Sequence, residues 1–188
     1  MGGGEFLKIF EDCGALLQGH FLLRSGLHSN KFFQAALVLQ YPDAAEKLCV
    51  WLAKFFGDKK IQTVISPAVG GLIVGQEMAR ALKTRAIFAE KENDSLVLRR
   101  GFTLSKGEKV LVAEDVVTKG GRVQQTIDLV RSLGADPVGV AVIVDRSGGS
   151  VKFDIPHKCA MELNLDTYEP EKCPLCKAGI PLVKPGSK

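Results

Sequence analysis

The chain has 188 residues, 46% hydrophobic and 24% charged, which suits one α/β domain spanning 1–188 with a sizeable core. Its 25 Lys and Arg against 21 Asp and Glu leave a charge of +4, too small and scattered to grip nucleic acid but compatible with a small anionic substrate. No apolar run approaches the ~20 residues of a membrane span, the start lacks a secretory pattern, and five cysteines without framework spacing suit reduced thiols, so a cytoplasmic protein without a membrane partner is expected.

In chain order, Leu7, Phe10, Gly14 and Leu17 mark a short first helix. Asp43 is a plausible N-cap for a second, whose stripe of Ala44, Ala45, Leu48, Leu52, Phe55 and Phe56 is closed by Gly57. A strand at Thr63–Ser66 leads through Pro67-Ala-Val-Gly-Gly71 into a helix from Leu72. Further strands are expected at Arg85–Ala89, Lys109–Ala113 and Pro137–Val144, with a helix carrying Val123, Ile127, Val130 and Leu133 before the last of them. Apolar strands alternating with helices predict a doubly wound, mainly parallel sheet with helices on both faces. From about residue 165 to 188 four prolines break any periodicity, so this tail is read as an extended segment over the domain.

The stretch Lys109-Val-Leu-Val-Ala-Glu-Asp-Val-Val-Thr-Lys-Gly-Gly-Arg122 carries the chemistry. A buried strand ends in Glu114 and Asp115, and a turn with Thr118, Gly120 and Gly121 opens the next helix. Ligands of open α/β sheets sit beyond the carboxyl ends of strands, where glycines and a helix N-terminus welcome a phosphate. Two carboxylates there would repel that phosphate, so they need another task, and holding the two hydroxyls of a ribose 5′-phosphate supplies one. Neither GxxxxGK[ST] nor GxGxxG spacing is present.

This stretch resembles the phosphoribosyl pyrophosphate (PRPP) signature of type I phosphoribosyltransferases. The resemblance implies PRPP contacts from Glu114, Asp115, Val116, Val117, Thr118, Lys119, Gly120, Gly121 and Arg122. Upstream, His20-Phe-Leu-Leu-Arg-Ser-Gly-Leu-His-Ser-Asn-Lys-Phe-Phe-Gln34 is similar to a segment of the orotate phosphoribosyltransferase family. There it folds as a hood over the site, here about residues 1–40, with the basic residue (Arg24) near PRPP and the aromatic pair (Phe32, Phe33) on orotate. In the same family the signature threonine, here Thr118, contacts the pyrimidine, and an arginine placed like Arg146 binds its carboxylate.

Two segments depart from the family pattern. The pyrophosphate-loop lysine is replaced by Gly70. In Phe88-Ala-Glu-Lys-Glu92, the start of the mobile catalytic loop, Lys91 matches, but a second Lys and a His are missing; Arg99 and Arg100 are candidate replacements, or merely a solvated strand end. The resemblance implies transfer of a phosphoribosyl group from PRPP to orotate, with Lys91, Glu114 and Asp115 catalytic. It also implies magnesium bound with PRPP, no resident metal on protein side chains, and a homodimer whose mobile loop serves the neighbouring site. The alternatives are another base, or a non-catalytic regulator of the same fold. Cys173-Pro-Leu-Cys176 could complete a zinc site with His157 and Cys159, but is read as a reduced pair dispensable for the chemistry.

Overall fold

The computed structural model describes residues 3–23 and 25–185. Helix α1 (Gly3–Asp12) buries Phe6 and Phe10. It ends before the expected point because Gly14 turns the chain at φ +65, and Leu17 belongs instead to β1 (Leu16–Leu22). β1 pairs antiparallel with β2 (His28–Phe33), and β2 pairs with β9 (Thr167–Tyr168), making a small sheet apart from the main one. After the short α2 (Ala35–Leu39) comes α3 (Pro42–Ala53). Tyr41, not Asp43, is its N-cap: Pro42 takes the first turn, where a missing N–H leaves no bond unmade.

Among the described residues the main sheet has the order β5-β4-β3-β6-β7-β8. These strands are β3 (Thr63–Pro67), β4 (Arg85–Glu92), β5 (Ser95–Leu98), β6 (Lys109–Val117), β7 (Asp136–Asp145) and β8 (His157–Glu162). Neighbours run parallel except β4 and β5. Period-2 alternation divides the core between the two faces. Val64, Leu111, Ala113, Ala141 and Ile143 pack with α1, α3 and α4 (Gly71–Leu82), while Ile65, Val110, Val112, Val140 and Val142 pack with α5 (Gly121–Ser132). The doubly wound expectation holds, with β5 and β8 as unforeseen edge strands.

The tail is more built than an extended segment. It forms a 3-10 turn (Pro170–Lys172) and the one-turn helix α6 (Pro174–Lys177), then returns to β1. There the Leu22 N–H donates to the Val183 carbonyl and the Val183 N–H to that of His20, each at 2.8 Å. The Ser29 hydroxyl also donates to the Asp166 carbonyl at 2.8 Å.

Candidate active site

A cavity of about 650 Å3 opens beyond the carboxyl ends of β3 and β6. Glu114, Asp115, Val116, Val117, Thr118, Lys119, Gly120, Gly121 and Arg122 all line it, together with Lys91 and the β3–α4 turn at Pro67, Ala68 and Gly70. β6 runs on to Val117, so the acids lie within the strand and not after it. Gly120 caps α5 at φ +73, and a Cβ there would meet Val151 Cγ1 at 2.6 Å, so both backbone and space call for glycine. The first N–H groups of α5 then point into the cavity end without intrahelical partners, a ready site for phosphate.

Glu114 is buried and Asp115 half-buried. The Asp115 N–H donates to Glu114 Oε1 at 3.0 Å, and the Val116 N–H to Asp115 Oδ1 at 2.8 Å. Burial, and then the adjoining Asp115 charge, push the Glu114 carboxyl up to about 9. Both causes favour the protonated form of Glu114. Gly70 belongs to the same arrangement, since a Cβ on it would lie 2.7 Å from Asp115 Oδ2. A side chain at position 70 therefore has no room with Asp115 so placed. The Ala68–Val69 peptide bond in this turn is cis.

Lys91 is the last residue but one of β4 and lines its own chain's cavity. β4 and β5 are joined by Asn93-Asp94 alone, with Glu92 opposite Ser95. The expected mobile loop is thus a two-residue hairpin turn between adjoining strands. Arg99 pairs with Glu92, and Arg100 with Glu90 at 2.9 Å, so both cations are engaged within the hairpin. Asp94 and Gln125 also line the cavity, and the Gln125 amide donates to the Asp94 carbonyl at 3.3 Å, joining the hairpin to α5. No sequence motif marked either residue.

The residues expected at the base are less tightly gathered. Arg146 follows β7 beside Thr118, where the register pairs Val117 with Asp145 and the Arg146 N–H donates to the Val117 carbonyl at 2.8 Å. Asp145 Oδ1 accepts the Ser147 N–H at 2.7 Å, fixing the turn that carries Arg146. Burial lowers the guanidinium below its ordinary value, and among the described residues its buried Nε has no hydrogen-bond partner. Phe33 is core: it is 3% exposed and packs edge-on against Phe10 at 5.3 Å. Successive strand side chains point to opposite faces, so only Phe32, half-buried against Phe21, is placed for a ligand, which corrects the assignment of both rings to orotate. None of Phe32, Phe33 and Arg146 lines the 650 Å3 cavity itself. Arg24 lies outside the described residues.

His157 and Cys159 do not join the Cys173–Cys176 pair. His157 Nε2 lies 3.4 Å from Asp145 Oδ2, and Cys159 packs on the core beside α5. Among the described residues the neighbours of the pair are His20 and His28, which corrects the alternative that His157 and Cys159 stand beside it.

Residues 38–167 match the family described as phosphoribosyl transferase domain. A protein of Caldicellulosiruptor saccharolyticus named orotate phosphoribosyltransferase is 52% identical over 188 residues, covering 100% of this chain and 98% of that protein. One of the same name from Caldanaerobacter subterraneus subsp. tengcongensis is 52% identical over 184 residues, covering 98% and 97%. The crystal structure of orotate phosphoribosyltransferase from Aeropyrum pernix superposes with a TM-score of 0.64 at 26% identity, covering 83% of this chain and 92% of that one.

Proposed function

The chain belongs to the orotate phosphoribosyltransferase family, and from that premise we infer that it converts orotate and PRPP to orotidine 5′-monophosphate and pyrophosphate, a step of pyrimidine nucleotide synthesis. The observation that carries the reading is the acid pair beneath a helix-capped turn. The 5′-phosphate sits on the Thr118–Arg122 amides, and Glu114 and Asp115 beneath it hold the ribose hydroxyls.

The bond from C1′ to the pyrophosphate oxygen breaks and the leaving group takes its electron pair. N1 of the orotate anion supplies the pair for the new C1′–N bond, so no protein nucleophile is needed. Positive charge developing on the ribose is favoured by the acid pair Glu114 and Asp115 beside it. Lys91 and the Pro67–Gly70 turn face the departing pyrophosphate from within the same subunit. Arg146, desolvated and with Nε open to an acceptor, suits the orotate carboxylate, while Thr118 and Phe32 border the ring. Arg24 is proposed at PRPP from the family pattern alone.

The oxygen donors of Glu114 and Asp115 fit the outer waters of magnesium brought in with PRPP. That ion would neutralise pyrophosphate charge. A homodimer and a cytosolic location complete the proposal; among the described residues no helix is long and apolar enough to cross a membrane.

The test is pyrophosphate release from PRPP and magnesium with single bases. Orotate should react, and uracil, adenine and hypoxanthine should not. Comparable reaction of a neutral base without orotate turnover would refute the assignment.

A further inference from the structure

Away from the transfer cavity, four ligand-type side chains converge: His20 on β1, His28 on β2, and Cys173 and Cys176 on the tail. Their donor atoms all lie within 4.8 Å of one another. His20 Nε2 is 2.9 Å from His28 Nδ1, 3.5 Å from Cys173 Sγ and 3.7 Å from Cys176 Sγ. Cys176 Sγ is 3.3 Å from His28 Nδ1. Around tetrahedral zinc, bonds of ~2.0 Å to nitrogen and ~2.3 Å to sulfur put neighbouring donors roughly 3.3–3.8 Å apart. Three of these four contacts already have the spacing of a coordination shell; the His20–His28 contact would open by a few tenths of an ångström and the widest pair would close by about one.

The protonation pattern points the same way. His20 Nδ1 lies 2.8 Å from the Ile180 carbonyl, which can only accept a hydrogen bond. A neutral His20 therefore carries its proton on Nδ1 and presents a bare lone pair at Nε2 to the cluster. That single lone pair faces His28 and both sulfurs, and can accept from only one of them at a time. One cation at the centre satisfies all four donors together. His20, His28 and Cys173 are buried, whereas Cys176 is exposed and leaves a path for an ion. The Cys-x-x-Cys spacing is also that of a common zinc half-site.

We propose that His20, His28, Cys173 and Cys176 bind zinc as a closed, structural Cys2His2 site. With four protein ligands the metal keeps no open position for a substrate or water, and none of the four residues lines the transfer cavity. Its work is mechanical. It fastens the C-terminal tail to the β1–β2 hairpin, beside the bonds of His20 and Leu22 with Val183. Metal binding to ligands so far apart in the chain is coupled to folding, because the unfolded chain has no preformed site.

The experiment uses the full chain, free of any polyhistidine tag and kept reduced. Metal analysis of the purified protein should find about one zinc per chain. After stripping, cobalt(II) alone should bind with the intense thiolate charge-transfer band and the visible bands of tetrahedral coordination. Cys173→Ser with Cys176→Ser should abolish both, whereas Cys159→Ser should keep both. Removal of the metal should expose the tail to protease and lower the Tm, and zinc should reverse both. If the purified chain holds no zinc and the reduced chain gives no cobalt–thiolate band, the site is refuted, and this arm depends on no variant folding. Full zinc content in the double cysteine variant would refute it equally.

Discussion

Replacing Glu114 by Gln should make the protein more stable at neutral pH. The Glu114 carboxyl has an ordinary value of 4.5 and is pushed up to about 9 in the fold. Between those values the native state holds a proton that the unfolded chain has released, so stability falls as pH rises, by about 1.4 kcal/mol per pH unit. At pH 7 the accumulated cost is about 3 kcal/mol; it is absent below pH 4.5 and goes on growing to about pH 9, above which it is constant. Gln keeps the shape and both contacts: its oxygen accepts the Asp115 N–H, and its amide donates to the Asp115 carboxylate as the protonated Glu114 does. Glu114→Gln should therefore gain on the order of 1–3 kcal/mol at pH 7, a rise in Tm of roughly 3–10 °C for a chain of this size. Urea or thermal unfolding from pH 5 to 9 reads the effect, and the variant should lose most of the downward slope of the parent. A Glu114→Gln protein less stable than the parent at pH 7, or with an unchanged slope, would show that Glu114 is ionised in the fold.

Arg146→Ala should raise the KM for orotate by about 10–100-fold, the loss of a charge-assisted contact of roughly 1.5–3 kcal/mol, while PRPP affinity by calorimetry stays within a few-fold. Equal loss of both ligands would point to misfolding. Gly70→Lys, which restores the cation of the family pattern, should weaken PRPP binding about tenfold or more, because the new Cβ collides with the Asp115 carboxylate. Tighter binding would mean that the turn moves aside. For Lys91, which lines its own chain's cavity, mixing Lys91→Ala and Arg146→Ala subunits at an orotate concentration where neither variant alone is active should restore no activity. Recovery to about a quarter of the parent rate, the value for random pairing in a two-fold dimer, would establish the shared loop.

The phosphate turn was legible in the sequence because its determinants are local. A buried strand, two acids, a threonine and two glycines occupy one short run, and every residue from Glu114 to Arg122 reaches the cavity. Side-chain direction was less legible. Phe32 and Phe33 look equivalent as letters, but strand alternation sends one into the core, and only the pairing of β1 with β2 shows which. Lys91 was recognised by its neighbours, yet its placement depends on the closing of the hairpin at Asn93-Asp94. β5 is a short edge strand and β8 is largely half-exposed, so neither shows the apolar run that marks the central strands. The His–Cys tetrad was the least accessible. Cys173 and Cys176 announce themselves by spacing, but their partners lie at the other end of the chain and arrive only when the tail folds back on β1. The histidine nearest in sequence, His157, lies instead beside Asp145.

Competition between bases tests phosphoribosyl transfer to orotate most directly. The protein would be incubated with PRPP, magnesium and an equimolar mixture of orotate, uracil, adenine and hypoxanthine, and the nucleotides identified by mass spectrometry. Orotidine 5′-monophosphate should form in amounts matching the pyrophosphate released, with the other nucleotides near background, and the product should vanish with Asp115→Asn. Formation of a different nucleotide in the mixture, or orotidine 5′-monophosphate undiminished by Asp115→Asn, would contradict it.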